Sequence, residues 1–347
     1  MFIFMTISNN RLLLYKNLEQ IIGNTKLNSI KLPNNNRLLL KRECDNPFGS
    51  HYDRVYLGLF KYYENLGLIN PERKVLETTS GTAGASFVGI GKELGYKCHV
   101  AIPKGVDRAI IDLIAINGEI YFTLEEDYIN GFPRFLKDFL PRNKDFMFLN
   151  HSMGEKCGSA YTNNETTLSS LEGITKEVLE TEIKIDFYIP AVGNGSTILG
   201  PGRLLKNLSP ETKIIAFESF QSAVAYDQIN PGKYKEEFGI NPGTLPKHKL
   251  RGTSYQGIEF PHIKNSVNIK LIDEVILVSD KYIDKNYFEL TKRKDTKSMP
   301  HWDTEIGSEF GRSTRAGIQA ALEIAKKVDG KNLLVIAYDK ADRYNDY

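Results

Sequence analysis

The chain has little cysteine, no excess of charge of either sign and no long hydrophobic run. Its three cysteines, Cys44, Cys98 and Cys157, are widely spaced, which argues against a disulfide framework and a CxxC zinc site. Lysine and arginine number 45 and aspartate and glutamate 43, so a net charge of +2 gives no electrostatic case for binding nucleic acid or an anionic membrane. No apolar run is long enough to span a bilayer, and the six histidines show no metal-ligand spacing.

The remaining composition is that of an ordinary globular protein. The 347 residues are 41% hydrophobic and 25% charged, enough for one large or two medium domains. Residues 1–7 are apolar but lack the basic flank and cleavage site of a signal peptide, so we expect an edge strand or a packing arm there. The low cysteine content, together with the lack of signal-peptide features at residues 1–7, predicts a cytoplasmic protein.

Short apolar runs alternate along the chain with segments of helical periodicity. Because polar residues do not alternate within these runs, they indicate parallel strands buried on both faces and hence an α/β fold. Two such blocks, before and after about residue 150, predict two lobes, each with a mostly parallel sheet flanked by helices. The predicted strands are residues 37–42, 74–77, 98–102, 119–123, 187–192, 213–217, 275–278 and 332–338, and predicted helices include residues 55–66, 85–94, 108–117 and 315–328.

One loop has the residues of a phosphate site: Gly193, Asn194, Gly195, Ser196 and Thr197. The glycines let backbone N–H groups converge, and the two hydroxyls add donors. With a helix beginning there, the loop predicts an anion cup suited to a phosphate. An ordinary glycine-rich turn is the competing interpretation, because short glycine motifs also match by chance.

Residues 78–84 form a second loop rich in hydroxyls and glycine, between a predicted strand and a predicted helix. Its donors suit a carboxylate or a phosphate. The alternative is a simple helix start with Thr79 or Ser80 as the N-cap. Two such loops in two lobes favour ligand binding more than either loop does alone.

Five segments, in the same order, resemble motifs of one family: the cysteine synthase and cystathionine β-synthase branch of pyridoxal-phosphate (PLP) enzymes of fold type II. That fold is the tryptophan synthase β-like one. It implies a smaller lobe at residues 45–150 with the carboxylate-binding loop, and a larger lobe at residues 1–44 and 151–347 with the phosphate-binding loop. The five segments are residues 22–27 (I-G-N-T-P-L in the family), 79–84 (T-S-G-N-T-G), 192–206 (V-G-T-G-G-T), 248–252 (H-K-x-Q-G) and 311–316 (G-I-S-S-G-A).

The resemblance implies that residues 193–197 bind the cofactor phosphate and that Ser313 binds the pyridine nitrogen. Thr82 stands where the family has an asparagine that bonds the ring hydroxyl. Thr79, Ser80 and Gly81 lie in the segment that binds the substrate carboxylate in the family.

The reactive lysine of the family is absent from its expected position. Residues 46–54 resemble the segment N-P-x-G-S-x-K-D-R, whose lysine holds PLP as a Schiff base, but Tyr52 stands in its place. Ala83, Arg251 and Arg315 also depart from the family pattern, as Thr82 does. Because several positions of the reactive end differ together, we infer a natural divergence and not an engineered substitution.

Tyrosine cannot form the imine, and its phenol has an ordinary pKa of ~10. It would need a nearby cation to act as a base at neutral pH, and the sequence offers His51, Arg54, Arg251 and Arg315. Another lysine could in principle hold the cofactor. The lysines considered are Lys41, Lys61, Lys92 and Lys156, each of which is expected to be a solvated helix or strand-end residue.

We therefore expect an enzyme for β-elimination, β-replacement or a related step on an amino-acid-like substrate, with PLP bound non-covalently. Tyr52 would be the acid/base group or a substrate ligand. Arg251 and Arg315 would bind an extra anionic group, or else form surface ion pairs. The alternatives are a pseudoenzyme that keeps the socket as a binding or regulatory subunit, and an enzyme that uses the cup for another phosphorylated substrate. The family is commonly dimeric, which implies a homodimer, and no metal site is expected.

Overall fold

The computed structural model describes residues 9–124, 128–153, 164–245, 248, 250, 252–253, 260–279 and 306–344. The chain divides into two compact units. The first comprises Met1–Lys26, Glu43–Gly173 and Asp342–Tyr347, and the second comprises Leu27–Arg42 and Ile174–Ala341. The arm expected at residues 1–7 lies outside the described residues.

Helices and strands alternate along most of the described chain. The helices are α1 (Asn9–Ile21), α2 (Tyr52–Asn65), α3 (Ala83–Glu93), α4 (Arg108–Ala115), α5 (Phe132–Phe139), α6 (Asn164–Leu179), α7 (Ser196–Leu208), α8 (Val224–Ile229), α9 (Lys233–Phe238), α10 (Pro261–Asn268) and α11 (Arg312–Ala325). The strands are β1 (Leu27–Lys31), β2 (Arg37–Lys41), β3 (Lys74–Thr78), β4 (Cys98–Pro103), β5 (Gly118–Thr123), β6 (Phe146–Phe148), β7 (Phe187–Tyr188), β8 (Lys213–Ser219), β9 (Glu274–Val278) and β10 (Asn332–Ile336).

The sheet of the first unit has the strand order β5-β4-β3-β6, and its pairings are parallel. Every residue of β4 is buried, which explains why its sequence is a nearly continuous apolar run. Helices α2 and α3 pack through aromatic rings, with Phe60 stacked on Phe87 at 5.8 Å between centroids. At Gly89 of α3, a β-carbon would lie 2.2 Å from the ring of Phe48, so glycine permits this close packing.

The sheet of the second unit has the order β1-β2-β10-β7-β8-β9. β1 pairs antiparallel with β2, and the other strand pairings are parallel. α11 lies close to this sheet, because a β-carbon at Gly317 would lie 2.9 Å from Phe217 and 3.0 Å from Val335. The predicted α/β fold with mostly parallel sheets flanked by helices is confirmed.

Several elements differ from the sequence-based expectation, and two of them have a clear local reason. The strand predicted at residues 187–192 is reduced to Phe187–Tyr188, since Pro190 has no N–H to donate and Ala191 makes an isolated bridge to Phe217. Helix α1 was not predicted, because its buried residues are few, Tyr15 and Leu18, and give a weak periodic signal.

The two units differ in extent from the predicted lobes. The first unit extends to Gly173 and includes the described residues 9–26. The lobe division at residues 45 and 150 stays a prediction. Among the described helices, none has the length and apolar character needed to cross a membrane.

Glu218 joins β8 to α8 in the second unit. Its fully buried carboxylate accepts N–H groups from the first turn of α8: Val224 and Tyr226 at 2.8 and 2.7 Å, and Ala225 at 3.2 Å. These are N–H groups that a helix cannot satisfy internally. Burial is the largest influence on this carboxyl and raises its pKa to about 7 despite the three hydrogen bonds, which lower it.

We predict that Glu218 makes the free energy of unfolding fall as pH rises. The unfolded chain releases this proton near ~4.3, whereas the folded chain keeps it up to about 7. Within that window the folded state binds the extra proton, so rising pH favours unfolding by up to ~1.4 kcal/mol per pH unit. Urea denaturation should show that the unfolding free energy of the wild type, relative to that of Glu218→Gln, falls from pH 5 to pH 7.

The matched control is Glu211→Gln, at an exposed position of the same unit. It should leave the pH dependence of stability unchanged. A difference between wild type and Glu218→Gln that stays constant across this pH range would contradict the raised pKa.

Candidate active site

The predicted anion cup lies in the second unit, where residues 193–195 lead into α7. Gly195 is the N-cap of α7 with φ +88°, and the N–H of Ser196 donates to Asn194 Oδ1 at 2.9 Å. A β-carbon at Gly195 would lie 2.6 Å from the backbone nitrogen of Ile263. Glycine is therefore required here by both the positive φ and the close approach of α10.

The hydroxyl groups of the cup lie in the first turn of α7. Ser196 and Thr197 are buried, and Ser196 Oγ has no hydrogen-bond partner within the described part of the chain. A buried hydroxyl without a partner is unfavourable, and the helix N-terminus adds partial positive charge. A phosphate oxygen would satisfy both, so these residues fit the phosphate that the sequence predicts for this loop.

Ser313 lies near the same loop. It is buried in the first turn of α11, and a β-carbon on Gly252, at φ +85°, would lie 3.4 Å from its Oγ. The carbonyl oxygen of Gly252 in turn lies 2.6 Å from where a β-carbon of Gly193 would be. The structure thus brings the glycine of segment 248–252, the phosphate loop and the predicted pyridine-binding serine together in one unit.

The predicted carboxylate loop lies in the first unit, between β3 and α3. Thr79 Oγ1 accepts the N–H of Gly81 at 3.1 Å, and a β-carbon at Gly81 would meet nothing within 4 Å. Thr82, and neither Thr79 nor Ser80, is the N-cap of α3, and its side chain makes no capping bond. The expectation of an ordinary N-cap at Thr79 or Ser80 is therefore wrong, and the loop presents a helix N-terminus beside open space.

Tyr52 is the first residue of α2, which begins three residues earlier than predicted. It is half-buried, its N–H donates to Ser50 Oγ at 3.2 Å, and its ring lies 4.1 Å from that of His51 and 5.4 Å from that of His151. Asp53 anchors this turn, since its carboxylate accepts the Phe48 N–H at 2.7 Å.

The residues proposed as cationic partners of Tyr52 differ in their charge, their existing ion pairs and their location. Burial lowers the pKa of His51 to about 3, so this imidazole is neutral at pH 7. Arg54 is paired with Glu43 at 2.7 and 2.9 Å. Arg315 is buried in the first turn of α11, in the second unit, which does not fit a surface ion pair. Arg251 lies outside the described residues.

Of the alternative lysines, Lys61 and Lys92 lie at the surface as expected, whereas Lys41 is buried at the end of β2, so the expectation of a solvated residue is wrong for Lys41. Lys41 pairs with Glu177 at 2.5 Å in the second unit, and Lys61 pairs with Glu19 on the surface. Lys92 is exposed in the last turn of α3. Lys156 lies outside the described residues.

Sequence reasoning missed a buried polar cluster beside Tyr52. Glu77, Tyr56 and His151 are buried, and Tyr56 Oη lies 3.1 Å from His151 Nδ1. Glu77 Oε2 lies 3.3 Å from the same nitrogen. One sequence signal could have indicated this cluster. Glu77 lies near the end of the apolar strand β3, His151 lies just after the apolar strand β6, and the two strands pair with each other.

Comparison with protein families gives one match over most of the chain. Residues 18–339 match the family described as pyridoxal-phosphate dependent enzyme. A cysteine synthase of Staphylococcus aureus (strain Mu50 / ATCC 700699) is 27% identical over 336 residues, 94% of this chain and 94% of the relative. A putative mitochondrial cysteine synthase of Saccharomyces cerevisiae is 25% identical over 344 residues, 94% of this chain and 82% of the relative.

Solved structures show the same fold. An O-acetylserine dependent cystathionine beta-synthase from Helicobacter pylori has a TM-score of 0.73 at 21% identity, covering 99% of each chain. A hydrogen sulfide-producing enzyme from Fusobacterium nucleatum has a TM-score of 0.73 at 23% identity, covering 94% of this chain and 98% of the other. Both likenesses confirm the architecture predicted from the sequence.

We predict that Gly195→Ala weakens PLP binding by roughly tenfold or more. The new β-carbon would strain a positive φ, at ~1–2 kcal/mol, and would also push against the Ile263 backbone that borders the cup. Isothermal titration calorimetry with PLP measures the change.

Gly232→Ala is the matched control, since Gly232 is also a helix N-cap at positive φ, +79°, but has nothing within 4 Å of its β-carbon position. It should lower stability while leaving PLP affinity unchanged. Equal PLP affinity in the two variants would show that the cup at Gly195 is not the phosphate site.

Proposed function

The chain belongs to the pyridoxal-phosphate dependent enzyme family, and we propose that it is a cysteine synthase-like lyase or transferase that binds its cofactor without a covalent lysine. The observation that carries the proposal is the contrast between the loop of residues 193–197 in the second unit and residue 52 in the first unit. The phosphate cup has a buried hydroxyl in need of an acceptor, at Ser196, whereas Tyr52 stands where the resemblance places the lysine.

Residues of the second unit would hold the cofactor. The N–H groups and hydroxyls of residues 193–197 would bind its phosphate, and Ser313 would donate to or accept from its pyridine nitrogen. When bound, PLP supplies an electron sink for cleavage of a bond at the substrate α-carbon. Ser313 Oγ is buried beside Gly252, which supports a fixed position for this contact.

Residues of the first unit would bind the substrate. The loop of Thr79, Ser80, Gly81 and Thr82 presents the N-terminus of α3, which suits the carboxylate of an amino acid. The relatives are named for cysteine synthase and for cystathionine β-synthase with O-acetylserine, so β-replacement on a serine-derived amino acid is the reaction type we propose. Arg315 and Arg251 would serve an additional anionic group of the substrate.

Tyr52 would carry the proton-transfer role of the missing lysine. The phenol of Tyr52 can donate its Oη proton, and the phenolate can accept one, provided that the pKa of Tyr52 lies close to the working pH. A positioned general base typically contributes ~10²–10⁴-fold in rate. Catalysis therefore remains possible if the substrate amine binds the cofactor directly, without displacing a lysine from it.

We also propose that the protein is cytoplasmic and forms a homodimer. Cys44 and Cys98 are buried thiols outside any disulfide, which suits a reducing compartment. The dimer follows from the family resemblance. One relative is named as mitochondrial, so fractionation of the source cells is the direct measurement of location.

We predict that the wild-type protein binds PLP saturably but forms no borohydride-stable adduct. Intact mass after reduction, followed by peptide mapping, should show unmodified protein, whereas Tyr52→Lys should carry one PLP group on the peptide containing residue 52. Tyr52→Phe is the matched control and should bind PLP without an adduct.

Three results would contradict this proposal. An adduct on a lysine of the wild-type protein would overturn lysine-free binding, and absence of PLP binding would overturn the cofactor assignment in favour of a different phosphorylated ligand. A Tyr52→Lys variant that binds PLP but forms no adduct would show that residue 52 is not at the lysine position.

A further inference from the structure

Glu77 is the organising group of the buried cluster in the first unit. Its side chain is fully buried near the end of β3, where Oε1 accepts the Thr78 N–H at 2.8 Å and Oε2 accepts the His151 N–H at 3.2 Å. The same Oε2 lies 3.3 Å from His151 Nδ1. The carboxylate therefore holds both the backbone and the ring of His151.

Tyr56 contributes a hydroxyl that stays protonated. Burial, followed by the negative charge of Glu77, raises the pKa of Tyr56 well above its ordinary value. The Tyr56 oxygen lies 3.1 Å from His151 Nδ1. Because a carboxylate can only accept and Glu77 Oε2 lies 3.3 Å from His151 Nδ1, the consistent arrangement has the proton on Nδ1, facing Glu77 and the Tyr56 oxygen.

This arrangement fixes the histidine tautomer. With the proton on Nδ1, the other ring nitrogen, Nε2, carries the lone pair and can accept a proton. A carboxylate beside the opposite nitrogen stabilises the imidazolium that would form.

The ring of His151 lies edge-on to that of Tyr52, with centroids 5.4 Å apart and planes at 86°. Tyr52 also lies 6.4 Å from Tyr56 between ring centroids. The titratable groups that face this imidazole within the described residues are Glu77 from β3, Tyr52 and Tyr56 from α2, and His51 just before α2.

We propose that His151, positioned by Glu77 and Tyr56, is the proton partner of Tyr52. The proton of Tyr52 Oη passes to His151 Nε2, directly or through one water. The O–H bond breaks, the N–H bond forms, and a phenolate and an imidazolium result beside the Glu77 carboxylate. The phenolate then takes a proton from the substrate and later gives that proton to the product, which regenerates the phenolate. The imidazolium finally returns the first proton to Tyr52 Oη, so both residues regain their starting states. The charge of the cluster stays constant during the internal transfer.

This inference rests on the proposed role of Tyr52, and it makes His151 a positioning and proton-holding residue that acts through Tyr52.

The test is a titration of His151 in the cofactor-free protein. Two-bond ¹H–¹⁵N correlation spectra of ¹⁵N-histidine-labelled protein report the tautomer and pKa of each imidazole, and His151→Gln identifies the signal. We expect the Nδ1–H tautomer at neutral pH. Glu77→Gln should shift the tautomer population towards Nε2–H.

Tyr52→Phe should raise the titration midpoint of His151 by roughly 0.5–1 unit, because the proposed partnership has the phenol donating to the neutral imidazole and the variant removes that donor. Tyr62→Phe is the matched control, at an exposed tyrosine of the same helix, and should leave the midpoint unchanged. A purely structural His151 would keep its midpoint in both tyrosine variants.

The outcomes separate this inference from the proposed function. A His151 midpoint insensitive to Tyr52→Phe, or an Nε2–H tautomer in the wild type, overturns the proton partnership even if PLP binds without a lysine. A lysine adduct in the wild type overturns the proposed function, whereas coupling between Tyr52 and His151 remains measurable without cofactor. If Glu77→Gln fails to fold, the wild-type tautomer and the change of the His151 titration midpoint in Tyr52→Phe still test the proton partnership.

Discussion

Parallel strand pairing is the constraint on which the candidate chemistry of each unit depends. It places the carboxyl ends of neighbouring strands at one edge of a sheet, where the loops that follow them gather. In the first unit, β3 and β6 end beside each other, which brings Glu77 to His151 and starts the loop of residues 79–82 at the same edge. In the second unit, β7 ends in the segment that leads to residues 193–197, the predicted phosphate cup.

Buried carboxyl groups also hold the backbone in both units. Asp53 accepts the Phe48 N–H and the Ser86 hydroxyl, and burial raises its pKa to about 7. Glu77 joins the ends of two strands, and Glu218 satisfies the first turn of α8. Each removes unsatisfied N–H groups from the interior, at the expense of placing an acidic group away from water.

Much of the fold was predictable from the sequence because its signals are local. Continuous apolar runs indicate parallel strands, and the order of the glycine and hydroxyl motifs indicates the family. Elements whose formation depends on distant partners were not predictable in this way. Helix α1 buries few residues, and the Glu77–His151 contact joins positions 74 residues apart, so neither leaves a local pattern.

The sequence by itself determined the α/β class, and the predictions of a phosphate loop at residues 193–197 and of Tyr52 at the position of the family lysine rest on the sequence alone, on residue types and their spacing. Only the tertiary structure decided which side chains lie beside Tyr52 and how they are protonated. His51 adjoins Tyr52 in sequence but is held neutral by burial, whereas His151 lies in the loop after β6, close to Tyr52 and against Glu77. Burial and charge pairing depend on three-dimensional surroundings, and those surroundings set the pKa of each group.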